Sequence, residues 1–174
     1  MLICPIQNKA AFVLNWIQIR PKVSQIFNEK DTRHWYEAMG MTGHNGIDWG
    51  IPVGTPIFAP MDGQVKVKDS GKDGYGLHFK IRNPYKASEF VGGHMSDIIQ
   101  PNGSHVHSGD LMGYSGNTGF STAPHFHGGY RLLKDSDKDI FSWEVMDYSN
   151  GFFGYIDFLE YVLNWKGTHK KFTL

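Results

Sequence analysis

The pattern of apolar and polar positions changes character along the chain. Near the start, Ile17 and Ile19 alternate with Gln18 and Arg20 ahead of Pro21, the period-two pattern of a half-buried strand. Asp31 then stands where a helix can be capped, Trp35 and Met39 recur four residues apart, and Gly40 supplies the stop, so a short helix is predicted between them. The middle breaks into short strand-like runs at 52–59, 63–68, 76–82 and 111–114. Turn signals separate them at Asp62-Gly63, Lys72-Asp73-Gly74, Asn102-Gly103 and Gly116-Asn117. Such spacing predicts an antiparallel sheet and not βαβ units. Towards the end, Asp157 and Glu160 form a capping-box pattern, and Phe158, Leu159, Val162 and Leu163 recur at helical spacing, which predicts a C-terminal helix. The expected fold is therefore mainly β, a β-rich α+β class. One compact antiparallel sheet is flanked by short helices near the N-terminus and at the C-terminus.

Composition narrows the picture. Of the 21 glycines, 18 lie between Gly40 and Gly129, which places the turn-dense part in the middle. Neither an internal repeat nor a linker divides the chain, so a single domain over 1–174 is expected. Lys plus Arg equal Asp plus Glu at 17 each, which supplies no general attraction to nucleic acid or to an anionic membrane. The lone Cys4 excludes an internal disulfide framework and a cysteine-based zinc knuckle. No run reaches the roughly 18 apolar residues of a membrane span. The opening stretch has no basic residue before its apolar part, and Asn15, Trp16 and Gln18 interrupt that part, so a soluble product without a signal peptide is expected. Nine histidines are the unusual feature, and they raise the question of metal binding or proton transfer.

Spacing alone leaves that question open. His44 and Asp48 lie four apart around Gly46; zinc takes both ligand types, but on spacing alone such a pair is more often a surface hydrogen bond. His125 and His127 share one face of an extended chain, but so do His105 and His107, and periodicity cannot choose between the two pairs. Val106 inward, with both neighbouring imidazoles in solvent, is the plainer reading of the second pair. His78 alternates with Leu77 and Phe79, which assigns it with Lys80 and Arg82 to the wetter face of a strand. His34 and His169 read as solvated, and His94 stands between a glycine pair and a turn. The run Asp135, Asp137, Asp139 reads as a solvated loop, because an EF-hand needs Gly at Ile140 and Glu at Met146.

The strings GHNGIDWGIPVGTPIFAPMDGQV, GHMS and VHSGDLMGYSGNTGFSTAPHFH, in that order, resemble the lysostaphin/LytM-type zinc metallopeptidases, which cut peptide bonds in bacterial peptidoglycan. The likeness spans residues 21–130. It implies the LytM, duplicated hybrid motif type of fold, one Zn²⁺ held by His44, Asp48 and His127, and catalytic roles for His94 and His125. Three protein ligands would leave a fourth position for water, and two imidazoles could supply a base and an oxyanion donor. Activity would then peak near or above neutrality. Many relatives carry an aromatic residue two positions before the loop histidine and another directly after the HxH pair. Gly92 and Gly128 stand there here, which predicts a widened groove beside the metal, with Phe120 and Thr122 on its wall. Gly-Gly bridges and D-Ala crosslinks both suit such a groove. The resemblance further implies a monomer acting on the cell wall, in the periplasm, outside the cell or as part of a bacteriophage. The alternative is a non-catalytic LytM-like domain that binds the wall or regulates a hydrolase. A biotinyl or lipoyl carrier would share APMDGQV but would leave the histidines unexplained.

Overall fold

The computed structural model describes residues 2–3, 22–158 and 162–163. Thirteen strands and one α-helix run along these residues: β1 Leu2–Ile3, β2 Lys22–Gln25, α1 Arg33–Glu37, β3 Ile47–Gly50, β4 Pro56–Phe58, β5 Gly63–Asp69 and β6 Leu77–Asn83. They continue as β7 Ser88–Gly93, β8 Met95–Ile98, β9 His105–Val106, β10 Leu111–Ser115, β11 Phe126–Leu132, β12 Tyr155–Ile156 and β13 Val162–Leu163. The large sheet has the order β2-β3-β11-β7-β6-β5-β9, with β12 also paired to β11. A second sheet has the order β4-β10-β8, and both are antiparallel throughout. The molecule is mainly β, as its turn spacing predicts.

One face of the large sheet packs on the small sheet. Trp49, Phe79, Phe90 and Phe126 from the first join Ile57, Met95 and Met112 from the second in a single buried cluster. Trp49 stacks on Phe126 and Phe79 on Phe90, with ring centroids 5.9 and 6.4 Å apart. Each such ring stabilises the fold by about 1.5–3 kcal/mol through removal from water. Alternation then turns Asp48, Gly93 and His127 to the other face of the same strands.

Several expectations shift in detail. The helix after Asp31 forms, but its cap position is Thr32 and it ends by Ala38, with Gly40 at φ +78° behind it. The expected strand over 52–59 contracts to β4, because Pro52 has no N–H and Thr55 folds back to donate from N and Oγ1 to its carbonyl at 3.3 and 2.7 Å. The expected C-terminal helix is replaced: Val162–Leu163 is a strand running parallel to Leu2–Ile3, and Phe158 is not helical. Phe158 is fully buried with its ring edge-on to Phe90 at 5.9 Å, so core packing overrides the local helical spacing. Leu159 and Glu160, like Ile17 and Ile19, lie outside the described residues.

Candidate metal centre and its groove

Strand pairing assembles the site. His127 of β11 lies opposite Asp48 of β3 on one side and Gly93 of β7 on the other. His44 arrives from the loop before β3, and Gly46 makes that approach feasible. A Cβ at Gly46 would sit 2.4 Å from the Gly128 carbonyl oxygen and 2.5 Å from the His127 ring, so only glycine lets the loop close on the imidazole.

Three donor atoms converge there. His127 Nδ1 is 2.9 Å from Asp48 Oδ1, His44 Nε2 is 3.2 Å from the same oxygen, and the two nitrogens are 3.1 Å apart. Ligands on a tetrahedral zinc at about 2.1 Å would be separated by roughly 3.4 Å, so the three atoms already stand close to a coordinating arrangement. All three residues are buried, and among the described residues this is the one cluster of His, Cys, Asp or Glu able to hold a metal ion. His44 Nδ1–H donates to the Ile26 carbonyl at 2.9 Å, which leaves Nε2 free as a ligand atom. Burial works against the Asp48 carboxylate, but His44 and His127 beside it hold its pKa well below the ordinary value. Burial lowers the His127 pKa, which favours the neutral imidazole that a metal requires.

His94 and His125 complete the group. Their rings are 4.4 Å apart, and His125 Nε2 is 3.6 Å from Asp48 Oδ2. Each has Nδ1 against a backbone carbonyl, Thr118 at 2.7 Å for His94 and Ala123 at 2.8 Å for His125. A neutral ring held that way keeps Nε2 as its free acceptor. Burial, then the neighbouring His127 and His125, lowers the His94 pKa to about 4. His94 stands where the chain leaves the large sheet for the small one, and its φ of +61° is a strained value for a residue with a Cβ.

The remaining expected residues divide. Phe120 and Thr122 line a groove of about 800 Å³ that runs past the metal cluster, with Trp35, Met39 and Glu29 also on its walls. Gly92 and Gly128 do not belong to it. They pair with each other across β7 and β11 and face the core, where a Cβ would sit 2.3 Å from the Phe79 ring or 2.8 Å from Trp49. Their small size therefore serves aromatic packing and widens nothing. His105 and His107 are exposed with Val106 buried between them, as the plainer reading expects. His78 departs from expectation: it is buried, donates from Nδ1 to the Gly76 carbonyl at 2.8 Å and meets the Tyr75 ring edge-on. Arg82 is buried too, because it binds Glu89. Tyr75, stacked on His127 at 4.9 Å, and Asn45, which donates to its hydroxyl at 2.7 Å, also belong to the site. Asn45 lies inside the GHNGIDWG string but sequence reasoning passes over it, and Tyr75 lies outside the quoted strings and has no periodic signal.

The arrangement has parallels. The model of peptidase family M23 matches residues 42–138, more than half of the chain. The DD-carboxypeptidase/endopeptidase Mpg of Neisseria meningitidis is 40% identical over 84 residues, 48% of this chain and 19% of that protein. The glycyl-glycine endopeptidase ALE-1 of Staphylococcus capitis is 36% identical over 94 residues, 51% of this chain and 25% of that protein. Among solved structures, the catalytic domain of the prophage-encoded M23 protein EnpA from Enterococcus faecalis superposes with a TM-score of 0.55 at 30% identity. The match covers 67% of this chain and 85% of that one. The matched region thus spans a quarter or less of the two curated relatives. With the His-Asp-His cluster inside the matched region, the chain belongs to peptidase family M23.

Proposed function

We propose that this chain is a zinc-dependent endopeptidase that hydrolyses the peptide crosslinks of bacterial peptidoglycan. The observation that carries the reading is the convergence of three buried donor atoms within 3.2 Å of one another beside two further imidazoles. The donor set of two nitrogens and one carboxylate oxygen suits zinc and leaves a fourth position. His44, Asp48 and His127 would hold the ion, which when bound lowers the pKa of a water molecule and polarises a carbonyl. The rest of the chemistry falls to this chain's own residues. His94 and His125 each keep Nε2 as an acceptor because Nδ1 is committed to a carbonyl, so either can take a proton from water. The one that receives it becomes a donor toward the leaving amine, and its partner can hydrogen-bond the developing oxyanion. The groove lined by Phe120, Thr122, Trp35 and Met39 would receive the peptide, and burial of the cluster limits competing water. Relatives described as a glycyl-glycine endopeptidase and as a DD-carboxypeptidase/endopeptidase support a wall peptide as substrate.

The test uses purified peptidoglycans of several crosslink types, with and without chelator, and mass spectrometry of the new termini. Chelator-sensitive release of peptide amines is expected. His94→Ala and His125→Ala should each lower turnover about 10²-fold or more while zinc content stays near one equivalent. Less than half an equivalent of zinc in the wild-type protein, with no hydrolysis on adding zinc, would favour a wall-binding module.

A further inference from the structure

The two imidazoles of the donor cluster are held in different ways. The Ile26 carbonyl orients His44 through its Nδ1. His127 has no counterpart: its Nδ1 is turned to Asp48, and its buried Nε2 has no hydrogen-bond partner among the described residues. A ring tied at one nitrogen can still swivel about that contact, so packing has to set its plane. The Tyr75 ring lies along it, with centroids 4.9 Å apart and planes inclined at 30°. Gly93 leaves room for this, since a Cβ there would meet Tyr75 at 3.2 Å.

Tyr75 is itself fixed from both sides. Asn45, the residue after ligand His44, donates to its hydroxyl at 2.7 Å, and the backbone N–H of His94 donates to its carbonyl at 2.8 Å. The Tyr75 hydroxyl also faces that of buried Tyr155. Tyr155 sits in β12 opposite Arg131 of β11, four residues on from His127 along the same strand, and lies beyond the family match that ends at 138.

We infer that Tyr75 is a positioning residue of the metal centre: its ring sets the plane of His127, and its hydroxyl locks that ring to Asn45 and, through Tyr155, to the segment following the matched region. This rests on the zinc reading above. Outer partners of metal ligands typically contribute 10- to 100-fold in metal affinity, and here stacking replaces the usual hydrogen bond.

The test measures the zinc dissociation constant of the full chain by competition with a chromophoric chelator, well below the melting temperature. The ¹¹³Cd chemical shift of the cadmium-substituted protein provides a second readout. Tyr75→Phe keeps the stack and loses the lock, so zinc affinity should fall about 10-fold with a moved cadmium signal. Tyr155→Phe should move both in the same direction by less, and Tyr75→Leu should move them further. Should Tyr75→Leu fail to fold, the two phenylalanine variants still decide. A purely structural tyrosine would lower the melting temperature and leave affinity and cadmium shift unchanged. Affinity within twofold of wild type in both phenylalanine variants, with an unmoved signal, overturns the inference. Wild-type protein that binds no zinc overturns the zinc reading with it, whereas wild type that binds zinc and cleaves beside unaffected variants overturns this inference alone.

Discussion

Gly92→Ala adds one methyl group and separates two accounts of that glycine. Its backbone is not in the left-handed region, so alanine is conformationally acceptable and would by itself contribute about 0.4–1 kcal/mol through the unfolded state. Packing opposes it. The new Cβ would stand 2.3 and 2.5 Å from two atoms of the Phe79 ring and 3.0 Å from Phe126. Both rings are fully buried, so neither can swing into solvent, and overpacking of this kind costs about 1–3 kcal/mol. With contacts this short the upper part of that range applies, for a net loss of about 2 kcal/mol. An unfolding entropy of about 2.1 cal/mol/K per residue, over the roughly 140 residues from 22 to 158, gives a fall in melting temperature of about 7 °C. The assay is thermal unfolding by near-UV circular dichroism, paired with steady-state hydrolysis of a soluble crosslinked peptide at 25 °C. Phe79→Leu in the Gly92→Ala background should recover at least half of the loss, because the shorter side chain vacates the clash. A melting temperature within 1 °C of wild type together with an altered KM would refute the packing argument and restore Gly92 to the groove.

The metal-free protein should lose stability in acid. His94 has a folded-state pKa of about 4 against an unfolded value of about 6.5, so below 6.5 only the unfolded chain takes up that proton. Stability should fall by up to about 3 kcal/mol between pH 6.5 and 4, with buried His78 acting in the same direction. A urea midpoint that stays flat over this range in the presence of chelator would contradict it. Glu89 is fully buried between Arg82, Arg131 and Lys80, and Glu89→Gln would leave three cations uncompensated. A loss of about 3–5 kcal/mol in denaturant unfolding is expected, and a loss under 1 kcal/mol would show that the cluster is not held by charge. His105→Ala and His107→Ala alter exposed side chains at the far edge of the large sheet, so hydrolysis should remain within twofold of wild type. A tenfold drop would assign one of them to the chemistry.

Legibility in the sequence followed burial pattern. Strands β5, β6 and β10 were readable because tight turns bracket short apolar runs. Strand β7, Ser88–Gly93, is buried at every position, since one face meets the core and the other carries Glu89 in its ion cluster and Gly93 beneath Tyr75. A strand covered on both sides has no alternation to read, and its Glu89 and glycine pair look like loop. Strands β3 and β11 hide in the same way behind Asp48 and His127, which are buried on the face that solvent would otherwise occupy. The two HxH pairs show what spacing lacks. Both sit on extended chain, but β11 is flanked by β3 and β7 whereas β9 pairs only with β5. Only the first pair can meet an Asp from a neighbouring strand and a His from a loop, and that is a fact of topology. The resemblance to a known family supplied it, and periodicity could not.

What orients the imidazoles of the site was illegible for a different reason. A backbone carbonyl carries no side-chain identity, so the acceptors at Ile26, Thr118 and Ala123 leave no mark in the sequence. The segment after 138 has little periodicity either, and polar anchors fix it in place. Arg82 donates to the carbonyls of Ile140 and Trp143, and Arg131 to that of Phe153, while Glu89 neutralises part of the charge they bring into the sheet. Those anchors stand on the same face of the large sheet as His127, about four positions away in the register of β11 and β7. The ion cluster at one end therefore holds the covering segment, that segment presents Tyr155, and Tyr155 meets Tyr75 over His127. Loss of charge at Glu89 should accordingly be felt at the metal, as a changed zinc affinity in any Glu89 variant that still folds.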